Sequence, residues 1–170
     1  MQQIIRDGAV VDDAWVVVST PEQLSAALET TASIFLTLDI WQEHGQSIDA
    51  EVELGVLLEP GQEPGQIAES LGRFASIAVN FPVFTDGRGF SYARELRQTH
   101  NFPGEIRAVG AMIRDQLHYL TRSGFNAFQF DTDTDLNAAL GSFNAFTNAY
   151  QACADATEPL FRRRSQLTDT

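Results

Sequence analysis

Residues 76–98 read SIAVNFPVFTDGRGFSYARELRQ, and this stretch decides the fold. Ser76 to Phe81 is a short apolar run, typical of a buried strand. A turn containing Gly87 and Gly89 follows it. Phe90 to His100 then has helical spacing, with one apolar face. The order of strand, glycine-rich turn and helix predicts a βα unit.

Strands and helices alternate on both sides of this stretch. Further strands are predicted at Val52 to Leu58, Glu105 to Val109 and Phe125 to Phe130, and helices at Glu63 to Phe74 and Ala111 to Arg122. Such alternation favours right-handed β-α-β connections and a parallel sheet. We therefore expect an α/β fold: one domain with a mainly parallel sheet of repeated βα units, either an open sheet or a partial barrel.

The two ends of the chain are less regular. We expect a strand at Ala14 to Ser19, a helix from Pro21, a second helix at Ser33 to His44, and a long final helix bearing Leu140, Phe143, Phe146 and Tyr150. The predicted organisation is an N-terminal extension packed on the core (1–50), a βα-repeat core (51–160) and a frayed tail (161–170).

The composition excludes several kinds of chemistry. The chain has 23 acidic residues, 11 basic residues that are all arginine, and a net charge of −12. Without lysine there is no Schiff-base chemistry, so pyridoxal phosphate is not expected as a cofactor. The single cysteine, Cys153, cannot by itself hold an iron–sulfur cluster, which needs about four thiolates. The strong negative charge argues against nucleic acid and anionic membranes as partners.

The sequence also gives expectations for the cellular compartment of the protein and for metal binding. No apolar run approaches the roughly 18 residues that a membrane span needs, and no leader-type segment is visible, so we expect a cytoplasmic protein. His44, His100 and His118 have no metal-type spacing, and no metal site is predicted.

Arginine is concentrated in one part of the chain. Six of the 11 arginines lie between Phe81 and Arg122, together with four acidic residues. Because the carboxyl ends of parallel strands meet at one edge of a sheet, the loops after two neighbouring strands should face each other there. We predict a site for an anion or other ligand formed by Thr85, Gly87, Arg88, Gly89, Arg107 and Arg114, with Asp86 and Asp115 as candidate catalytic bases. The alternative is a structural turn with a solvated arginine.

These residues also carry a family resemblance. Residues 77–91, IAVNFPVFTDGRGFS, closely resemble the core signature of a bacterial family known as domain of unknown function 934. Residues 104–110 (GEIRAVG), 113–117 (IRDQL) and 122–128 (RSGFNAF) resemble further blocks of that family, in order and with compatible spacing. The motif positions include Asp86, Arg88, Arg94, Arg107, Arg114 and Asp115. At Val83, family members often have lysine.

The resemblance implies an association with sulfite reduction, because members of the family are labelled as oxidoreductases of that pathway. The label assigns no catalytic residue. With one cysteine this chain is not a self-sufficient sulfite reductase, which needs siroheme and an iron–sulfur cluster. The use of flavin or nicotinamide and the oligomeric state stay open.

Three hypotheses follow from these observations. The first is an accessory protein of assimilatory sulfite reduction that binds the reductase, its electron donor or a small oxyanion. The second is an enzyme acting on a phosphorylated or sulfonated metabolite, held by Arg88 and Arg114. The third is a non-catalytic module that only binds other proteins.

Overall fold

A computed structural model describes residues 2–30, 33–131, 134–144, 150–154, 159 and 162. Its eight strands are β1 (Gln2–Arg6), β2 (Ala9–Asp13), β3 (Val16–Val18), β4 (Ser33–Thr37), β5 (Glu53–Leu58), β6 (Ser76–Phe81), β7 (Glu105–Gly110) and β8 (Ala127–Phe130). They form one sheet in the order β2-β1-β8-β7-β6-β5-β4-β3. β3 to β8 are parallel neighbours, and β1 and β2 add an antiparallel hairpin beside β8. The sheet curls into a half-barrel.

Helices connect the parallel strands. They are α1 (Pro21–Thr30), α2 (Leu38–His44), α3 (Arg88–Gln98), α4 (Leu117–Ser123) and α5 (Leu136–Leu140), with 3-10 segments at Gly45–Ser47, Pro64–Arg73, Arg114–Gln116 and Gly141–Asn144. The expected α/β class and mostly parallel sheet are confirmed. A regularly repeated βα unit is not confirmed, because β5 and β6 are joined by a 3-10 segment where the other parallel connections contain an α-helix.

The side chains of each strand divide between two faces of the sheet. On β6, Val79 and Phe81 point to the convex side, where they meet Gly89 of α3. Ala78 and Asn80 alternate with them and point to the concave side. The main hydrophobic core therefore lies between the convex face and the helices, and the concave face is a second, smaller interior.

Two predicted elements differ in the structure. Residues 33–37 form β4, where the sequence predicted a helix from Ser33 to His44; only Leu38–His44 is helical. Ile34 and Leu36 are fully buried and Phe35 is 2% exposed, so both faces of this segment are covered, as in a central parallel strand. A strand buried on both faces lacks the alternation that would distinguish it from a helix. The predicted long final helix is α-helical only over Leu136–Leu140; Phe143 lies in the 3-10 segment that follows and Tyr150 in a bend, while Phe146 lies outside the described residues.

The N-terminal fifty residues contribute β1 to β4 to the same sheet as the rest of the chain. Their contact with the core is electrostatic as well as apolar. Arg107 of β7 has no exposed surface, and its Nη1 and Nη2 atoms donate to the Asp13 carboxylate at 2.8 and 3.0 Å. This is a bidentate pair, the strongest geometry for these groups.

Further charges extend this pair into a network. The Arg107 Nε atom donates to Glu105 at 2.8 Å, and Arg6 donates to the same carboxylate at 2.5 Å. Ser76 donates to Glu105 at 2.8 Å. Burial alone would raise the pKa of Glu105, but the charge of Arg107, the hydrogen bonds from Arg107 and Ser76, and the charge of Arg6 together lower it.

Aromatic rings cover the remaining surface of Arg107. Its guanidinium carbon lies 4.8 Å from the centre of the Phe35 ring and 5.8 Å from that of Trp15. The two rings contact each other with centroids 4.4 Å apart. Arg107 thus joins the two ends of the curled sheet, because Asp13 ends β2 while Phe35 lies on β4.

Replacing Arg107 by leucine should destabilise the fold strongly. The change leaves the nearly buried Asp13 carboxylate without its main partner, at a cost of about 3–5 kcal/mol for a broken buried pair. Urea unfolding followed by circular dichroism measures this cost. Arg114→Leu, which removes an arginine that is 64% exposed, is the matched control and should change the midpoint little. Equal midpoints for the two variants would contradict the central role of Arg107.

The lowered pKa of Glu105 predicts a pH dependence of stability. A carboxyl whose pKa is lower in the folded state stabilises the fold above its unfolded pKa of about 4.3, and this contribution is lost as the pH falls through the folded value. The free energy of unfolding should therefore fall on acidification less steeply in Glu105→Gln than in the wild type. The exposed Glu63→Gln is the control and should keep the wild-type slope. A wild-type slope in Glu105→Gln would refute the assignment.

Candidate functional site

The loops after β6 and β7 lie at the same edge of the sheet, as the sequence predicted. Gln116 connects them through both ends of its side-chain amide. Its Nε2 atom donates to the Phe84 carbonyl at 2.9 Å, and its Oε1 atom accepts the backbone N–H of Ile113 at 3.1 Å. One side chain therefore fixes the two predicted site loops against each other. Sequence analysis did not single out Gln116, because a glutamine in a polar stretch carries no distinctive signal.

Arg88 and Asp86 form a pair within the first loop. The Arg88 Nη2 and Nε atoms donate to the Asp86 carboxylate at 2.6 and 3.0 Å, and the Arg88 backbone N–H donates to it at 3.1 Å. The side-chain hydrogen bond from Arg88, and then the backbone one, hold the pKa of Asp86 below its usual range. The Asp86 carboxylate therefore binds at the N-terminus of α3, where an external anion would otherwise bind.

Thr85, Arg114 and Asp115 are exposed at the same edge. Arg114 is 64% exposed, and its Nε atom lies 3.6 Å from the Asp115 carboxylate, beyond hydrogen-bond distance. Asp115 is 78% exposed. Both side chains of this pair are therefore open to solvent.

The two glycines of the first loop play different parts. A Cβ atom on Gly89 would lie 2.5 Å from the Phe81 ring and 3.0 Å from Val79, so the missing side chain lets α3 lie directly on β6. A Cβ on Gly87 would meet nothing within 4 Å, and its φ of −88° suits any residue. Helix packing accounts for Gly89 without a ligand.

Arg107 is the one predicted ligand-binding residue that lies apart from the loops. It points to the concave face, where Asp13 and Glu105 neutralise it. Arg97, which contributed to the same basic stretch, is also structural. It donates to the carbonyls of Phe102, Gly104 and Gly124 at 2.6 to 3.0 Å. The basic stretch in the sequence is therefore not one basic surface in the fold.

Arg94 lies on the helix surface and reaches the cysteine. Its Nη2 atom donates to the Cys153 sulfur at 3.1 Å, and this bond raises the pKa of Arg94. Cys153 is 4% exposed, so its thiol is buried.

Large apolar side chains are exposed on the connected loops. Val83 is 52% exposed, Phe84 55% and Ile113 45%. Tyr119 of α4 is half-exposed nearby and packs on the Phe90 ring at 4.9 Å between centroids. We call Val83, Phe84 and Ile113 the loop patch. Apolar residues clustered on loops in this way mark an interaction surface more often than single exposed ones do.

A cavity opens on the concave face at the carboxyl ends of the strands. Its volume is about 180 Å³, and its walls are Val17, Phe35, Leu57, Ala78, Asn80, Val109, Gly110, Gln129 and Asp131. The sequence alone did not predict this cavity. A polar Asn80 in an otherwise apolar strand was the available signal.

The described residues contain no group of three or more His, Cys, Asp or Glu side chains that could share a metal ion. Within the same part of the chain, no helix combines the length and apolarity that crossing a membrane requires.

Comparison with known proteins identifies the family. The family model described as bacterial protein of unknown function (DUF934) matches residues 55–161, more than half of the chain. The chain belongs to this family. The match spans β5 to β8 and both predicted site loops, so the family region contains the loop patch and most of the cavity wall. No curated protein matches the chain.

A substitution at Gly89 tests the packing assignment. Gly89→Ala should destabilise the protein by about 1–3 kcal/mol, because the new methyl group overpacks the contact with Phe81. Gly87→Ala is the matched control and should leave stability within about 0.5 kcal/mol of the wild type or raise it slightly. Thermal unfolding of both variants measures the difference. If Gly87→Ala were the more harmful, the contact of α3 with β6 would not explain the glycine.

Proposed function

We propose that this chain is an accessory protein of assimilatory sulfite reduction that docks on sulfite reductase or its electron-donor protein. The pathway comes from the family resemblance, and the mode of action from the site. The observation that carries the docking role is the loop patch: three large apolar side chains exposed at the edge of the sheet where α/β proteins bind their ligands. The proposal implies a cytoplasmic protein, as predicted from the sequence.

The geometry supports docking of a protein in two further ways. The Gln116 side chain holds Phe84 and Ile113 in a fixed arrangement. Because the loops are already ordered, binding a partner costs little conformational entropy. The charges beside the patch are locally balanced, since Arg88 is paired with Asp86. An apolar centre with a polar rim is the usual anatomy of a protein interface.

A genetic experiment tests the pathway. Cells lacking the gene should grow on cysteine as the sulfur source and fail or slow on sulfate and sulfite. Growth should return when the wild-type gene is supplied. Normal growth on sulfate, in cells without a redundant copy, would contradict the proposed role.

A binding experiment tests the surface. Phe84→Asp should weaken binding to purified reductase or donor protein by about tenfold or more, because a charge would replace an aromatic anchor. Leu28→Asp places the same charge on α1, at an apolar residue that is 41% exposed, and should leave binding unchanged. Biolayer interferometry measures both. Unchanged binding in Phe84→Asp would rule out the loop patch as the docking site.

The alternative at the same edge is binding of a small oxyanion. The exposed Arg114 favours it, although an anion at Arg88 must first displace the Asp86 carboxylate. Titration with sulfite or sulfate distinguishes the two functions. Anion binding that is weakened by Arg88→Ala, and not by Arg122→Ala, would select the oxyanion site over protein docking.

A further inference from the structure

The cavity on the concave face is separate from the loop patch, and its size and lining residues indicate which ligands it can bind. Its volume of about 180 Å³ lies below the ~300–1,000 Å³ of pockets that enclose drug-sized ligands, so only a small metabolite fits inside it. It opens where the parallel strands end, and the Phe35 ring that stacks on Arg107 forms part of its wall.

The wall is apolar on one side. Leu57, Ala78 and Val109 come from three neighbouring strands and point to the concave face. Together with the Phe35 ring they offer contact surface for a short hydrocarbon portion of a ligand. These residues supply no hydrogen-bonding side chain, so polar recognition has to come from the opposite side of the cavity.

Asn80 provides the first polar group. Its Nδ2 atom donates to the Glu59 carboxylate at 2.7 Å, and this contact fixes the amide orientation because a carboxylate only accepts. The Oδ1 atom therefore faces Gly110, where a Cβ would lie 2.6 Å from it. Gly110 has a φ of +98° and no side chain that would cover this oxygen. Among the described residues, none donates a hydrogen bond to Asn80 Oδ1.

Gln129 and Asp131 provide the other polar groups. Both side-chain contacts of Gln129, with Arg107 and with Gln2, are 3.4 Å long, at the outer limit for a hydrogen bond. A ligand can therefore replace them at little cost. The Asp131 carboxylate is exposed at the rim, and within the described part of the chain it forms no ion pair.

The charges around the cavity decide the class of ligand. Arg107, which contacts the lining residue Gln129 at 3.4 Å, is neutralised by Asp13 and Glu105. The accessible polar atoms are mainly acceptors: Asn80 Oδ1, Gln129 Oε1 and the Asp131 carboxylate. An anion would meet acceptors and a negative rim, whereas a group with several N–H donors would meet complementary partners.

We propose that this cavity binds a small molecule with a cationic nitrogen head, an amine or guanidine, and a short hydrocarbon tail. The head lies between Asn80 Oδ1, Gln129 and the Asp131 carboxylate, and the tail packs on Leu57, Ala78 and Val109. The site is independent of the proposed docking of a partner on the loop patch, and it binds the opposite charge from the oxyanion expected from the sequence.

A set of matched probes tests the ligand class. The full chain is titrated with n-butylguanidinium, n-butylammonium, butyramide and butyrate, and binding is followed by ligand-observed NMR and calorimetry. The two cations should bind more tightly than butyramide, and butyrate should not bind. Equal or tighter binding of butyrate, or no binding of either cation, would overturn the proposal.

Two variants locate the site. Asp131→Asn should weaken binding of n-butylguanidinium about fivefold, the size of an exposed ion pair. Asp12→Asn removes the same charge from an exposed residue of β2 and should have no effect. Ala78→Leu fills the cavity and should abolish binding, while circular dichroism confirms its fold. If Asp12→Asn weakened binding as much as Asp131→Asn, the interaction would be general charge attraction and the site would be refuted.

Discussion

The bidentate pair of Arg107 and Asp13 organises the rest of the molecule. It lies on the concave face of a sheet whose two edge strands, β2 and β3, are joined by only Ala14 and Trp15. One end of the sheet supplies Asp13, β4 near the other end supplies the Phe35 ring, and the connection from β2 to β3 supplies the Trp15 ring; the guanidinium contacts all three. A charge with no exposed surface is tolerated only with such complete pairing, so the curl of the sheet and the burial of Arg107 depend on each other.

This arrangement separates structural arginines from surface arginines. Arg97 donates hydrogen bonds to backbone carbonyls inside the fold, and Arg107 forms ion pairs with buried carboxylates. Arg88 and Arg114 instead lie exposed at the edge of the sheet. The basic stretch between Phe81 and Arg122 therefore contains two kinds of arginine, one that stabilises the fold and one that is exposed at the surface. At the edge of the sheet, the surface open to a partner is the apolar loop patch with paired charges beside it. The cavity, whose polar atoms are mainly hydrogen-bond acceptors, lies on the concave face of the sheet.

The sequence predicted the central part of the fold well because its signals are local. Apolar runs bounded by glycine and proline located β5 to β8, and the loops after β6 and β7 followed from the parallel order. The strand at β4 was misread because Ile34 to Leu36 is buried on both faces. The two candidate sites needed long-range information. No local pattern reveals that Gln116 binds the Phe84 carbonyl, or that Asn80 turns its oxygen towards Gly110.

The distance along the chain between Asp13 and Arg107 has a consequence for biosynthesis. The two residues are separated by 94 positions, so at ~5–20 residues per second the first hairpin leaves the ribosome several seconds before its anchor exists. During that interval the apolar side of β1 and the unpaired edges of the hairpin have no native partner. The nascent N-terminal segment therefore exposes Ile4 and Ile5, which are fully buried in the fold, until β8 has been synthesised, and the acidic residues around them repel one another in that interval.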